Sequence, residues 1–99
     1  MQDNIKGLLA DITVRIPRSR IVLVNKDYYL SNDSNERTPI RNEDIEMLIA
    51  DGYLDRNSIG GVTPTSKAVD DSDSFYEKKQ VTGLHGKMIE IAEFPHSYS

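Results

Sequence analysis

The stretch IVLVNKDYYL, residues 21–30, decides most of the fold, because it predicts a β-hairpin. Four aliphatic residues come first, a composition that favours a strand buried on both faces. A polar turn at residues 25–27 separates them from a returning strand at residues 28–30. The polar segment that follows, SNDSNERT at residues 31–38, predicts an exposed, mobile loop.

Helical patterns lie on both sides of this hairpin. Before it, Asp3 is the expected N-cap of a helix that gives way to extended chain near Asp11. After it, Asn42 is the expected N-cap of a central helix, and Gly52 permits the left-handed residue that ends many helices. The residues expected to be largely buried are Leu8, Leu9, Ile21, Leu23, Ile45, Leu48, Ile49 and Leu54.

The second half of the chain is more irregular. Residues 55–61 form a loop with two glycines at its tip, and Thr65 or Ser66 is the expected cap of a short third helix. Residues 84–94 fit a helix or a strand, and residues 95–99 are expected to fray. Together these elements predict one small α+β domain over residues 1–99. Its parts are an N-terminal helix, a β-hairpin, a central helix, a wing-like loop and a C-terminal helix or strand.

Composition limits the classes of function. The 99 residues carry a formal net charge of −4, and a nucleic-acid binder usually has a basic excess. Cys is absent, which excludes disulfides and favours the reducing cytoplasm. The N-terminus lacks the pattern of a signal peptide, and the longest apolar run, residues 21–24, is far too short to span a bilayer. We therefore expect a cytoplasmic protein that does not contact membranes and for which nucleic acid is a disfavoured partner.

Residues 45–68, IEMLIADGYLDRNSIGGVTPTSKA, have the most specific pattern in the chain. A helix, a tight turn around Gly52, a glycine-containing hairpin loop and a small helix start follow one another. This order resembles the second half of a winged helix-turn-helix domain, namely the recognition helix and the wing. The resemblance implies a DNA-binding regulator. Glu43, Asp44 and Glu46, however, place carboxylates on the helix that would face phosphate.

Two clusters are candidate binding sites. Arg15, Arg18, Arg20 and Lys26 form a basic cluster beside Tyr28 and Tyr29. Arginine forks pair with carboxylate or phosphate, and Tyr and Arg are the residue types that most often anchor interfaces. Because Tyr28 and Tyr29 are adjacent in a strand, one ring is expected in the core and the other at the surface. The ordinary alternative is a solvated strand edge protected by charge.

The second cluster is acidic and consists of Asp70, Asp71 and Asp73. It is expected to be either a solvated turn or an alternative surface for a basic partner. The spacing does not match a calcium-binding EF-hand loop, and no metal site, cofactor motif, nucleophile elbow or phosphate loop is expected.

These observations predict a non-catalytic protein-binding module, such as an accessory inhibitor or adaptor of the type that phages and mobile elements encode. The expected partner is another protein or a second copy of the chain. The expected partner-binding residues are Arg18, Arg20, Lys26, Tyr28 and Tyr29. The alternative is a winged-helix-like DNA-binding transcriptional regulator.

Overall fold

The computed structural model describes residues 2–95 and 98, apart from the side chains of Lys79 and Leu84. Over these residues the chain forms three α-helices and seven strands, so the predicted small α+β domain is confirmed. The strands pair into three antiparallel sheets, in the orders β1-β2-β3, β4-β5 and β6-β7. The elements are α1 (Asp3–Thr13), β1 (Arg20–Val24), β2 (Asp27–Ser31), β3 (Arg37–Ile40), α2 (Asn42–Ala50), β4 (Leu54–Arg56), β5 (Val62–Pro64), α3 (Ser66–Asp70), β6 (Glu77–Thr82) and β7 (Met88–Glu93).

Helix α1 supplies the centre of the core. It begins at Asp3, with Gln2 as the N-cap residue, so the prediction that Asp3 is the cap is wrong by one position. It also continues past Asp11 to Thr13, because Ile12 is buried on the same stripe and the Thr13 hydroxyl donates to the carbonyl of Leu9 at 2.6 Å. Extended chain therefore starts later than predicted.

Helix α2 follows β3 almost directly. Its N-cap residue is Arg41, whose backbone is still extended, and the predicted cap Asn42 is the first helical residue. The Arg41 guanidinium donates to both carboxylate oxygens of Asp44 at 3.1 Å. Past the end of the helix, Gly52 adopts φ +84°, as the predicted helix stop requires.

The predicted hairpin is strands β1 and β2, joined by Asn25 and Lys26, both in the left-handed region. A third strand, β3, pairs with β2 and shortens the predicted loop at 31–38 to residues 32–36. The side-chain oxygen of Asn32 accepts hydrogen bonds from the amides of Ser34 and Glu36, at 3.0 and 2.9 Å, and so organises this loop.

Strand β1 is not buried on both faces, contrary to the prediction. It is an edge strand of the sheet, and none of its five residues is buried. Ile21 and Leu23 lie on the core side, opposite Leu30 and Tyr28, but at the edge of the sheet Leu23 is 37 % exposed and Ile21 is only half-buried. Ile49 on α2 is also half-buried. The other predicted core residues are buried. They pack with Tyr28, which was one of the two tyrosines considered for the core, and with residues that the sequence patterns did not single out: Leu30, Ile40, Val62, Phe75 and Tyr98.

The hairpin β4–β5, called the wing below, is held against the first sheet. The Tyr28 hydroxyl donates to the carbonyl of Gly60 at 2.7 Å, and a Cβ on Gly60 would lie 3.3 Å from the Leu23 side chain. Helix α3 is capped by Thr65, whose hydroxyl accepts from the amide of Ala68 at 3.3 Å. This selects Thr65 from the two predicted caps.

The ambiguous C-terminal segment contains strand β7, so the strand alternative is the correct one over Met88–Glu93. Beyond it, Tyr98 is buried and its hydroxyl donates to the Asp44 carboxylate. The expectation of a frayed end is therefore wrong at Tyr98, because this hydrogen bond and core packing hold it. The rest of that expectation, residues 96, 97 and 99, lies outside the described residues.

The molecule measures 53 × 28 × 20 Å, with a radius of gyration of 15.1 Å. A compact domain of about 100 residues has a radius of gyration near 13 Å. The excess arises because β6 and β7 project from the core as a two-stranded arm. Within the described part of the chain, the helices are too short and too polar to cross a membrane.

Candidate functional site

The hairpin β1–β2 places the two neighbouring tyrosines on opposite sides of the sheet. Tyr28 is 8 % exposed and faces the core, where its hydroxyl binds Gly60. Tyr29 is half-buried and points to the other side, where it has Val22 and Pro39 as its cross-strand neighbours. Of the two tyrosines proposed from the sequence, only Tyr29 is therefore accessible for a partner.

The outward side of the three-stranded sheet, called the open face below, combines apolar and basic side chains. Alternation along the strands puts eight residues there: Arg20, Val22, Val24, Asp27, Tyr29, Ser31, Arg37 and Pro39, of which Ser31 is buried. Two cross-strand rows run over it. One row is Val22–Tyr29–Pro39, and the next is Arg20–Ser31–Arg37. The face thus has an aromatic and aliphatic stripe beside a pair of arginines.

The structure brings together only part of the predicted basic cluster. Arg20 shares the open face with Tyr29, whereas Lys26 is at the exposed turn and Arg18 is in the exposed segment before β1. Arg15 lies elsewhere: it pairs with Asp11 at 3.0 Å, and its guanidinium stacks over the Phe94 ring at 4.7 Å. Sequence reasoning missed Arg37, although the alternation of Arg37 and Pro39 with Thr38 and Ile40 was a signal for a strand.

The arginines differ in whether they form ion pairs. Arg15, Arg41 and Arg56 each form an ion pair with a carboxylate, those of Asp11, Asp44 and Glu46. Among residues 2–95 and 98, Arg18, Arg20 and Arg37 form no such pair, nor does Lys26. The unpaired guanidinium groups are therefore concentrated on and beside the open face, where they are exposed.

The acidic cluster has a structural role in the turn after α3. The Asp71 carboxylate accepts from the Tyr53 hydroxyl at 3.1 Å, and the Asp73 carboxylate accepts from the Tyr76 hydroxyl at 2.9 Å. Each hydrogen bond raises the pKa of its tyrosine above the usual value. Asp70 is exposed at the end of α3. No group of three or more His, Asp or Glu side chains in the described part of the chain could hold a metal ion.

A second candidate surface is the ribbon, defined as residues 77–93 with β6, β7 and their connecting tip. Every residue of β7 is exposed, including Met88 at 60 %, Ile89 at 49 % and Ile91 at 41 %. Ile89 and Ile91 share one side of the ribbon with Val81, which pairs with Ile89. The opposite side is polar and has a Lys78–Glu90 ion pair at 3.7 Å. Sequence reasoning did not identify this surface, because β6 reads as a charged segment without a core-forming pattern.

The base of the ribbon is tied firmly to the domain. Phe75 is buried and packs edge-on against Tyr53, with ring centroids 5.7 Å apart. On the returning strand, Phe94 packs against Tyr76 with centroids 5.2 Å apart. Arg15 also donates to the carbonyl of Pro95 at 3.0 Å. Both ends of the ribbon are therefore anchored, while its apolar side has no cover.

The exposed side of α2 is acidic. Glu43 and Glu46 both face solvent, and Glu46 pairs with Arg56 of the wing. The hydrogen bond of this ion pair raises the pKa of Arg56. The only arginine in the sequence of the wing therefore already pairs with a carboxylate of the same domain. Comparisons of the chain with known protein families, with curated proteins and with solved structures found no match.

Proposed function

We propose that this chain is a non-catalytic protein-binding module that acts in the cytoplasm as an accessory inhibitor or adaptor, of the type that phages and mobile elements encode. The observation that supports the proposal is the open face, where Arg20 and Arg37 lie beside Tyr29 and form no ion pair with any residue that the structure describes. The arginines that do form ion pairs, Arg15, Arg41 and Arg56, pair with carboxylates of the domain itself. The absence of Cys supports a reducing compartment.

The chemistry of the open face defines its partner. Its apolar row, Val22–Tyr29–Pro39, fits apolar side chains, and its two arginines fit carboxylates in bidentate geometry. A flat antiparallel sheet with one uncovered side offers a surface for another layer. The matching partner is a protein surface with an apolar centre and acidic residues at one side.

Nucleic acid is the weaker match for this face. The chain has net charge −4, and α2 exposes Glu43 and Glu46, which repel phosphate. The apolar half of the face also gains nothing from a phosphate backbone. The alternative function, a winged-helix-like DNA-binding regulator, is favoured by the helix–turn–hairpin order of α2 and the wing, whose tip residue Ile59 is 84 % exposed.

The decisive experiment is capture of the partner from a lysate of the native cell by wild-type protein and two double variants. Arg20→Glu with Tyr29→Ala adds a carboxylate to the open face and removes its aromatic side chain. Thr63→Glu with Ile59→Ala adds a carboxylate to the wing and removes its large exposed apolar side chain. We expect the wing variant to retain the same captured protein as the wild type, and the open-face variant to lose at least about nine-tenths of it, since loss of an interface anchor costs 2 kcal/mol or more.

Two outcomes would contradict the proposal. If the open-face variant retains the captured protein while its melting temperature is unchanged, the open face is not the interface. If nuclease treatment removes the captured material, or a gel shift shows submicromolar duplex DNA binding at physiological salt, the DNA-binding alternative holds instead. Non-specific DNA affinities are typically ~10⁻⁴–10⁻⁶ M, and they fall steeply with salt.

A further inference from the structure

The ribbon presents an energetic problem that the domain does not solve. A two-stranded hairpin is marginally stable in water unless a third strand or another layer covers its apolar side. Here Val81, Ile89 and Ile91 form such a side, and both isoleucines are more than two-fifths exposed. The polar side, with the Lys78–Glu90 pair, is suited to solvent. The ribbon is therefore amphipathic and lacks the layer that its apolar side requires.

We propose that this layer is the ribbon of a second copy of the chain, packed face to face and antiparallel about a two-fold axis. This inference goes beyond the proposed function, because the ribbon and the open face are different surfaces. The argument for a second copy is that the rows of the ribbon are complementary to themselves.

The pairing register defines these rows. From base to tip, the rows on the apolar side are Glu77–Glu93, Lys79–Ile91, Val81–Ile89 and Gly83–Lys87; the last is closed by a hydrogen bond from the Gly83 amide to the Lys87 carbonyl at 2.6 Å. The row Gln80–Glu90 lies midway. A two-fold axis through that midpoint maps the base row onto the tip row and the two inner rows onto each other.

The apolar residues match under this operation. The row Lys79–Ile91 faces the row Val81–Ile89 of the other copy. Two isoleucines from each ribbon therefore meet at the centre, and Lys79 of each ribbon belongs to the same central rows. Gly83 assists this packing, because a Cβ there would lie 3.2 Å from the Ile89 side chain, which covers it. An isologous contact requires that residue i meets residue j and residue j meets residue i, and these rows satisfy that condition.

The charges at the two ends of the ribbon match as well. In the base row, Glu77 lies directly opposite Glu93. At the tip, Lys87 is exposed, and in the described part of the chain neither Lys87 nor Glu77 forms an ion pair. The two-fold axis brings Lys87 of each copy to the base row of the other. A parallel arrangement would instead place lysine against lysine and glutamate against glutamate.

Light scattering after size exclusion tests the oligomeric state. We expect the full chain to be a dimer and Ile91→Lys to be a monomer, because the variant removes one of the two isoleucines that each ribbon contributes and adds a second lysine to the row that already contains Lys79. Met88→Lys is the matched control: it places the same charge on the same strand but on the polar side, so the dimer should remain. A wild type that is monomeric at roughly 1 mM, or that forms rings or filaments, would overturn the proposal.

A charge exchange separates recognition from ribbon folding. Lys87→Glu alone and Glu77→Lys alone should each weaken dimerisation at least about tenfold, whereas the double variant should recover most of the affinity at low salt. If the double variant is weaker than both single variants, the antiparallel arrangement is wrong. Retained partner capture by a monomeric Ile91→Lys protein would leave the proposed function intact, and retained capture by the open-face variant with its dimer intact would refute that function alone.

Spin labels locate the contact directly, since the chain has no Cys of its own. We would label Glu77→Cys in one sample and Lys87→Cys in another, and mix them. Packed sheets lie about 10 Å apart, and the base and tip rows are separated by about six residues, or roughly 20 Å, along the ribbon. In the mixed sample the two labels face each other across the contact, so their distance should be shorter than that between two labels at Glu77→Cys. Equal distances in the two samples, or none between copies, would exclude the antiparallel ribbon contact.

Discussion

Hairpin β1–β2 and the ribbon β6–β7 are both antiparallel pairs with apolar residues at every second position, yet they have different environments. In β2, Tyr28 and Leu30 pack into the core beneath α1. In β7, Ile89 and Ile91 have the same spacing but remain exposed. Alternation defines only which side of a strand seeks cover. Whether the cover comes from the same chain depends on what the rest of the sequence supplies.

The same contrast applies to the two sides of the first sheet. Its inner side packs against the domain core, whereas the residues of its open face other than Ser31 are exposed or half-buried. Within the described residues, Arg20 and Arg37 on that face form no ion pair. A fold of 99 residues has few elements with which to cover every apolar side, since small domains bury a smaller fraction of their surface. The two uncovered sides are therefore the places where contacts with other molecules would add most buried area.

The largest expected effect tests the difference between β2 and β7 directly. Leu30→Ala should lower the free energy of unfolding by about 2–5 kcal/mol, because it leaves a cavity in the core. Ile91→Ala should change it by less than about 0.5 kcal/mol in protein diluted to the monomer, because the residue is solvent-exposed there. Urea denaturation measures both values. Equal losses would show that the ribbon is packed within its own chain.

A smaller effect separates the two tyrosines of the hairpin. Tyr28→Phe removes the hydrogen bond to Gly60 and leaves its carbonyl without that donor, so we expect a loss of about 0.5–1.5 kcal/mol. The hydroxyl of Tyr29 makes no hydrogen bond within residues 2–95 and 98, so Tyr29→Phe should be close to neutral. Thermal melting of the two variants measures the difference. A neutral Tyr28→Phe would mean that the wing does not depend on this contact.

Much of the fold was predictable because its signals are local. The β1–β2 hairpin has a polar turn between apolar strands, and both long helices have apolar stripes at helical spacing. The errors at their ends were of one or two residues, as for Asp3 and Asn42, because tertiary contacts set where the first and last turns form.

The remaining features depend on pairing between distant residues. Strand β6 reads as EKKQVT and is a strand only because β7 pairs with it, and the polar segment that leads into β3 gave the appearance of a loop. The open face illustrates the same limit: Arg20 and Tyr29 were candidates from residue type, but Arg37 joins them only through the β2–β3 register. Residue type indicated the chemistry of the site, whereas its composition depended on a sheet order that no short pattern contains.

The smallest expected effect concerns the turn that joins the core to the ribbon. There the Tyr53 hydroxyl donates to Asp71, and this hydrogen bond is the main cause that raises the pKa of Tyr53. A raised pKa means that the folded state holds the proton more tightly than the unfolded state, in which tyrosine titrates near 10. The stabilisation is therefore complete below pH ~10 and is lost as the pH rises through the folded-state pKa. Tyr53→Phe keeps the ring contact with Phe75 but has no proton to lose.

We expect wild type to be slightly more stable than Tyr53→Phe at pH 8, and the difference to shrink steadily as the pH is raised towards 11. Denaturant midpoints of the two proteins, measured in parallel at each pH, give this difference free of other titrations. The mutation Tyr29→Phe serves as the control, because a phenol on the open face has no carboxylate partner in the described chain and its difference from wild type should not follow this pattern. A Tyr53 difference that stays constant or widens with pH would show that the hydrogen bond from Tyr53 to Asp71 does not stabilise this turn.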